Sequence, residues 1–146
     1  MPNLLVLLGA ALIPTITGFI WYNPKLFGNA WMKEAGLSEE QLKGLNMPLI
    51  LGISLVLSVF LSWFLFTCIV HQSALFSLLL ADAANADQAG YEAAMAIVGD
   101  RHRTFGHGAF HGLAYGFILF LPVLGTNALF ERKSWNYIRI NMCYLT

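Results

Sequence analysis

Three long stretches of this chain carry no Asp, Glu, Lys or Arg: residues 1–24, 44–81 and 104–130. In water, each would need a large protein around it to bury its apolar side chains, and 146 residues do not supply one. About 20 apolar residues in helix cross a hydrocarbon core of roughly 30 Å. The chain therefore reads as an all-α integral membrane protein, a single membrane domain whose first partner is the lipid bilayer. Only 11% of its residues are charged, against about a quarter in a soluble domain. A formal net charge of zero gives no basic footprint for nucleic acid. Two cysteines, Cys68 and Cys143, do not make a secreted disulfide framework. The N-terminal stretch has no Lys/Arg n-region. It ends in Trp21-Tyr22-Asn23-Pro24 rather than at a small-residue cleavage site, so a retained first span is expected.

Spans are expected at about residues 3–22, 49–70 and 105–124, with a partial fourth at 135–146. Pro14 should kink the first span, with Thr15 and Thr17 offering hydroxyls to the disturbed carbonyls. Trp21 and Tyr22 end it as interfacial aromatics would. Between the first two spans, Leu26, Phe27, Ala30 and Trp31 recur at helical spacing and predict a short interfacial helix, which Gly36 stops. Ser38-Glu39-Glu40-Gln41 has the form of a capping box. Glu34, Glu39 and Glu40 read as solvated helix faces, and Glu131-Arg132-Lys133 as an interfacial charge cluster. The 38 uncharged residues 44–81 would run about 57 Å as one helix, too long for a bilayer. The break is expected at His71-Gln72-Ser73, after which residues 74–81 project from the membrane or bend along its surface. Residues 88–98 predict a surface helix from the spacing of Tyr91, Ala94, Met95 and Val98. The last 13 residues, 134–146, reach about 20 Å as helix and make only the first half of a crossing.

Lys25, Lys33, Lys43, Arg132, Lys133 and Arg139 fall on one side of this topology, and Arg101 and Arg103 on the other. The positive-inside rule then makes the first connection cytoplasmic and turns the N-terminus outward.

Gly18-Phe19-Ile20-Trp21-Tyr22-Asn23-Pro24, with Phe27-Gly28 and Ala30-Trp31-Met32 after it, resembles a known family. So do Arg103-Thr104-Phe105, His107-Gly108, His111-Gly112 and Asn127-Ala128-Leu129-Phe130-Glu131-Arg132. The family is the membrane proteins grouped as domain of unknown function 1761. The resemblance spans nearly the whole chain. It implies a four-span helical protein of the bacterial inner membrane and brings no established activity. The present chain departs from the pattern at its end, where relatives would continue through a complete fourth helix; either the sequence is truncated there or the last span is absent.

Two constellations stand out. Gly108, Gly112 and Gly116 repeat every four residues and predict a glycine zipper, a smooth face for close helix packing within the chain or between copies. Cys68 and His71 are three apart near the end of the second span; His107 and His111 are four apart near the start of the third. The antiparallel topology brings both pairs to the same outer end of the membrane. A Cys-x-x-His pair facing a His-x-x-x-His pair suits zinc or copper. The same histidines also read as a proton-sensitive cluster or as structural residues bonded to backbone, water or headgroups. No carboxylate lies in these spans to orient them, and no catalytic set or cofactor signature is visible. Three functions follow from this reading: a non-enzymatic structural or accessory subunit, alone as a homo-oligomer or in a larger membrane complex; a small oligomeric transporter or channel; and a protein binding metal or haem through Cys68, His71, His107 and His111.

Overall fold

Helix boundaries in this chain follow its capping residues. The computed structural model describes residues 3–81 and 87–146. Helix α1, Leu4–Trp21, starts where the Asn3 side chain accepts the Leu5 amide. Pro14 lies inside it, and the Thr17 hydroxyl donates to the carbonyls of Ile13 at 2.8 Å and Pro14 at 3.3 Å. After Trp21 the chain turns sharply. The Asn23 side chain accepts the Lys25 amide at 2.9 Å, and the Asn23 carbonyl accepts the Gly28 amide at 3.0 Å. Gly28 packs so close that a Cβ there would collide with the Tyr22 carbonyl. The Trp-Tyr-Asn-Pro block is thus a turn that lays α2, Gly28–Ala35, beside the end of the first span.

Gly36 ends α2 in the left-handed region at φ 74°. The Leu37 amide reaches back to the Met32 carbonyl at 3.0 Å, the closing bond of a Schellman motif. Ser38 and Gln41 form the expected capping box ahead of α3, Glu39–Lys43. The long α4, Met47–Ile69, follows its Asn46 cap. It breaks at Val70 and His71, and α5, Gln72–Ala81, sets off separately. The first residues of the next connection, 82–86, lie outside the described residues. Asp87 caps α6, Gln88–Val98.

The third span runs further than its composition suggests. Helix α7, Phe105–Tyr115, passes through a π-helical turn at Gly116–Phe120 into α8, Leu121–Phe130. The wider turn directly precedes Pro122, whose ring and missing N–H disturb a regular ladder. The stop comes from Arg132, which takes φ 56° so that the Lys133 amide closes onto the Ala128 carbonyl at 2.8 Å. Asn127-Ala128-Leu129-Phe130-Glu131-Arg132 is therefore a helix stop that reverses the chain into α9, Trp135–Leu145.

Among the described residues, three helices are long and apolar enough to cross a membrane: Leu4–Trp21, Met47–Ile69 and Phe105–Phe130. No strand occurs among the described residues. Helix α4 buries none of its residues, and Leu49, Ile53, Leu57, Phe60, Trp63 and Phe64 stand exposed along it. An apolar surface of that extent suits a bilayer. At 11 residues, α9 is about 17 Å long and is not among these three.

The most extensive helix pairing joins α1 to α4. Helix α9 lies antiparallel to α1 and is fastened to it by polar bonds. The Trp21 indole donates to the Ile140 carbonyl at 3.1 Å, the Tyr22 hydroxyl to Asn141 Oδ1 at 2.9 Å, and the Tyr144 hydroxyl to the Pro14 carbonyl at 2.7 Å. Trp21 and Tyr22, expected to end the span as interfacial aromatics, also bond α9 through their polar atoms. Ile138, Ile140 and Met142 on α9 are among the few buried apolar residues, together with Leu7, Ala11 and Ala128.

Helix α9 also grips α2. The Glu34 carboxylate accepts the Ser134 hydroxyl and, at 3.0 Å, the Asn136 amide, and Lys133 Nζ donates to the Ala35 carbonyl at 2.7 Å. Glu34 is thus a tether rather than a merely solvated face. The Ser134 hydroxyl, then the Asn136 amide, hold its pKa below the ordinary carboxylate value.

Two outcomes check this assembly. Gly28→Ala should lower the melting temperature in detergent, because overpacking costs about 1–3 kcal/mol. Gly52→Ala, where a Cβ meets nothing within 4 Å, should not. Because the Glu34 pKa is lowered by folding, its contribution is present above the ordinary carboxylate pKa and lost as pH falls through the depressed value. Wild-type protein should therefore lose stability on acidification through that range more steeply than Glu34→Gln. Parallel profiles would contradict the tether.

Candidate metal centre

The second and third spans meet at the break after α4. Two carbonyls at the end of α4 lose their helical partners there and find new ones: the Ser73 hydroxyl donates to the Thr67 carbonyl at 2.8 Å, and the Tyr115 hydroxyl to the Cys68 carbonyl at 3.3 Å. Gln72, the buried polar side chain beside His71, sends its amide to the carbonyls of Val98 at 2.7 Å and Arg101 at 2.9 Å. That pair of bonds clamps the loop between α6 and α7 onto the break. Thr104 then caps α7 by accepting the His107 amide at 3.3 Å, which fixes His107 in the first turn.

His71, His107 and His111 converge. Nε2 of His107 lies 3.0 Å from Nε2 of His71 and 3.1 Å from Nε2 of His111. One nitrogen from each of the three rings falls within 4.8 Å of the others. A zinc ion with Zn–N bonds of about 2.0–2.1 Å in tetrahedral geometry separates its nitrogens by roughly 3.3 Å, close to the two spacings from His107. Hydrogen bonding explains the arrangement poorly. An imidazole nitrogen either donates its proton or accepts through its single in-plane lone pair. His107 Nε2 therefore cannot make full hydrogen bonds to both neighbours at once, whereas one cation satisfies all three.

Cys68, expected as a fourth ligand, does not belong to this group. Its three-residue spacing from His71 shares a face only while the helix lasts, and α4 ends at Ile69. The Cys68 thiol sits 4.0 Å from the neighbouring Thr67 hydroxyl.

The glycine face also differs from expectation. His107, His111 and Tyr115 form one stripe on α7; Gly108, Gly112 and Gly116 form the next, about 100° round the helix. The His/Tyr stripe meets the end of α4. The glycine stripe is a zipper along no neighbouring span: a Cβ on Gly108 meets nothing within 4 Å, one on Gly112 meets the Thr146 carbonyl at 3.3 Å, and one on Gly116 would collide with the Thr146 side chain.

Three participants escape a reading by residue type. Tyr115 continues the four-residue repeat of His107 and His111, and its ring stacks on His111 at 5.6 Å. Gln72 had only its adjacency to His71 as a signal. His102 lies between Arg101 and Arg103, where a sequence suggests solvent, yet its ring centroid is 4.9 Å from His107 and 6.0 Å from His71. It takes φ 62°, a left-handed conformation that histidine adopts more readily than most residues.

A second hollow, of about 570 Å³, lies between α1, α4 and α9, lined by Pro14, Tyr22, Trp31, Ser54 and Tyr144 among others. It includes none of the histidines.

Residues 5–146 match the family model described as "Protein of unknown function (DUF1761)". The chain belongs to this family. No curated protein and no solved structure matches it. The blocks His107-Gly108 and His111-Gly112, part of the resemblance to the DUF1761 family, supply two of the three converging histidines, and Gly112 faces Thr146.

Gly116→Leu should cost stability on the overpacking scale of about 1–3 kcal/mol, read as a lower melting temperature in detergent. Gly108→Leu should be tolerated. A comparable loss at Gly108 would contradict an open glycine face in the monomer.

Proposed function

We propose that this DUF1761 protein is a multi-pass protein of the bacterial inner membrane that holds one transition-metal ion between its second and third spans. The observation that carries this reading is the convergence of three Nε2 atoms, from His71, His107 and His111, on a geometry that hydrogen bonding satisfies poorly. Neutral imidazoles suit zinc, copper, iron and nickel. Ionisable groups in or beside spans are functional candidates by default. The metal links the break after α4 to the first turn of α7. Three histidines leave one of four tetrahedral positions for a further ligand.

The balance of Lys and Arg supports a centre on the outer side, with Lys25, Lys33 and Lys43 held in the cytoplasm and the N-terminus outward. Cysteine labelling in intact cells, with Cys68 and Cys143 replaced, tests this. A cysteine at Gln41 should be protected from a membrane-impermeant reagent, and one at Gln88 should react. The reverse pattern would invert the topology.

A different feature supports a second role as an assembly or accessory subunit. The open Gly108 face lies on a helix whose Phe110, Leu113 and Phe117 are also exposed, and a second copy or another membrane chain fits there. Blue-native mass with identification of co-purifying chains reads this role directly.

Equilibrium titration of detergent-purified apo protein with zinc tests the metal reading. One ion per chain is expected, with affinity falling on acidification because protons compete for the imidazoles. His107→Ala should abolish specific binding, and Cys68→Ala should leave it intact. Stoichiometric binding that survives loss of His107 would contradict the proposal, as would absence of binding in the wild-type protein.

A further inference from the structure

We infer that His102 is the fourth ligand of this centre and that it acts as a loop-borne, exchangeable one. The inference rests on the three-histidine reading above and adds a function to it: a site that takes up and hands over its metal, rather than one that buries it.

Three independent observations place His102 in this role. Its ring is near the centre, 4.9 Å from the His107 ring and 6.0 Å from the His71 ring. Its backbone stands in the left-handed region at φ 62°, immediately before the Arg103-Thr104 entry into α7. That conformation folds the chain back, so the ring lies over the first turn of α7. A residue held in a sparsely populated conformation points to a constraint from its surroundings. The loop is also held from outside the α6–α7 connection, by the Gln72 amide on the Val98 and Arg101 carbonyls at 2.7 and 2.9 Å. Gln72 is the residue after His71 in the chain. The break that presents one ligand therefore also positions the loop that presents another, and Gln72 is a positioning residue.

The four histidines divide by the rigidity of their support. His107 and His111 are on a membrane-spanning helix, and His71 is on the turn that closes α4. His102 is exposed on a short connection. It is not within the tight group of three ligand atoms, so it joins or leaves by a side-chain and loop movement that need not disturb the spans. Four neutral imidazoles retain the full cationic charge of the ion, which favours a cation that has to be released over one locked in by thiolates or carboxylates. Imidazole nitrogens suit zinc and copper, and a tetrahedral four-coordinate set suits zinc.

Zinc-loaded, detergent-purified full-length protein tests the assignment by X-ray absorption at the zinc edge. His102→Cys, with Cys68 and Cys143 replaced by Ala, should add one zinc–sulfur neighbour at about 2.3 Å to the histidine nitrogens at about 2.0–2.1 Å. His102→Gly removes the ligand and suits a positive φ. It should speed zinc release to a chelator and weaken binding by at least the roughly 10–100-fold that loss of a supporting contact costs. It should leave the apo melting temperature unchanged. Gln72→Ala should speed release in the same direction but keep the four-nitrogen zinc spectrum at saturating metal. Zinc bound by nitrogen alone in His102→Cys, with release from His102→Gly as slow as from wild type, would overturn the role of His102 and leave the three-histidine centre standing. No zinc bound by wild type or by either variant would overturn both.

Discussion

Hydrocarbon offers a peptide backbone no hydrogen-bond partner, so a membrane helix can end only where something else takes over its free carbonyls and amides. The rest of this structure depends on how the chain meets that demand at three places. At Trp21 to Gly28 the Asn23 side chain and a side-chain-free Gly28 let the backbone turn on itself. At Glu131 to Ser134 a left-handed Arg132 closes the helix before Ser134 caps the next. At Val70 and His71 the partners come from elsewhere, Ser73 for the Thr67 carbonyl and Tyr115 for the Cys68 carbonyl. The third solution has a functional consequence. Because a residue of the third span completes the end of the second, the two helices are registered against each other, and that register sets His71 opposite His107.

The α7 helix serves two neighbours with two adjacent stripes. Its histidine and tyrosine side chains project far enough to reach α4. Its glycines let the end of α9 approach at Gly112 and Gly116. Helix α9 in turn reaches across to α1 through Trp21, Tyr22 and Tyr144. The short last helix thus acts as a spacer between the first and third spans, held by polar bonds to backbone carbonyls. Such bonds are favoured where water does not compete. The end of α9 reaches Gly112, next to His111, so the two contacts of α7 lie side by side.

Much of the fold was legible because its signals are local. Span positions follow from charge-free length, the Ser38–Gln41 box and Gly36 stop follow from capping chemistry, and the break at His71-Gln72-Ser73 follows from bilayer thickness. Residues 88–98 kept their helical spacing. What sequence could not show was tertiary. Glu34 looks solvated until Ser134 and Asn136 arrive from a hundred residues away. Trp21 and Tyr22 carry no sign in the sequence of their bonds to α9. The π-helical turn before Pro122 has no reliable local sign. At the site, the pairing of His71 with His107 and His111 follows from antiparallel topology alone. Cys68 drops out because the helix ends one residue after it. His102 was hidden because its place depends on a left-handed backbone and on the Gln72 clamp, and neither leaves a spacing to read.

The central claim is that the Nε2 atoms of His71, His107 and His111 share one cation. Nitrogen-15 NMR of histidine-labelled protein reads those atoms individually. On addition of one equivalent of zinc, the Nε2 signals of these three residues should move together to metal-bound positions while their Nδ1 signals take the shifts of a protonated ring nitrogen. Nε2 signals that stay in place through the titration, or zinc taken up with only one of the three responding, would contradict the account.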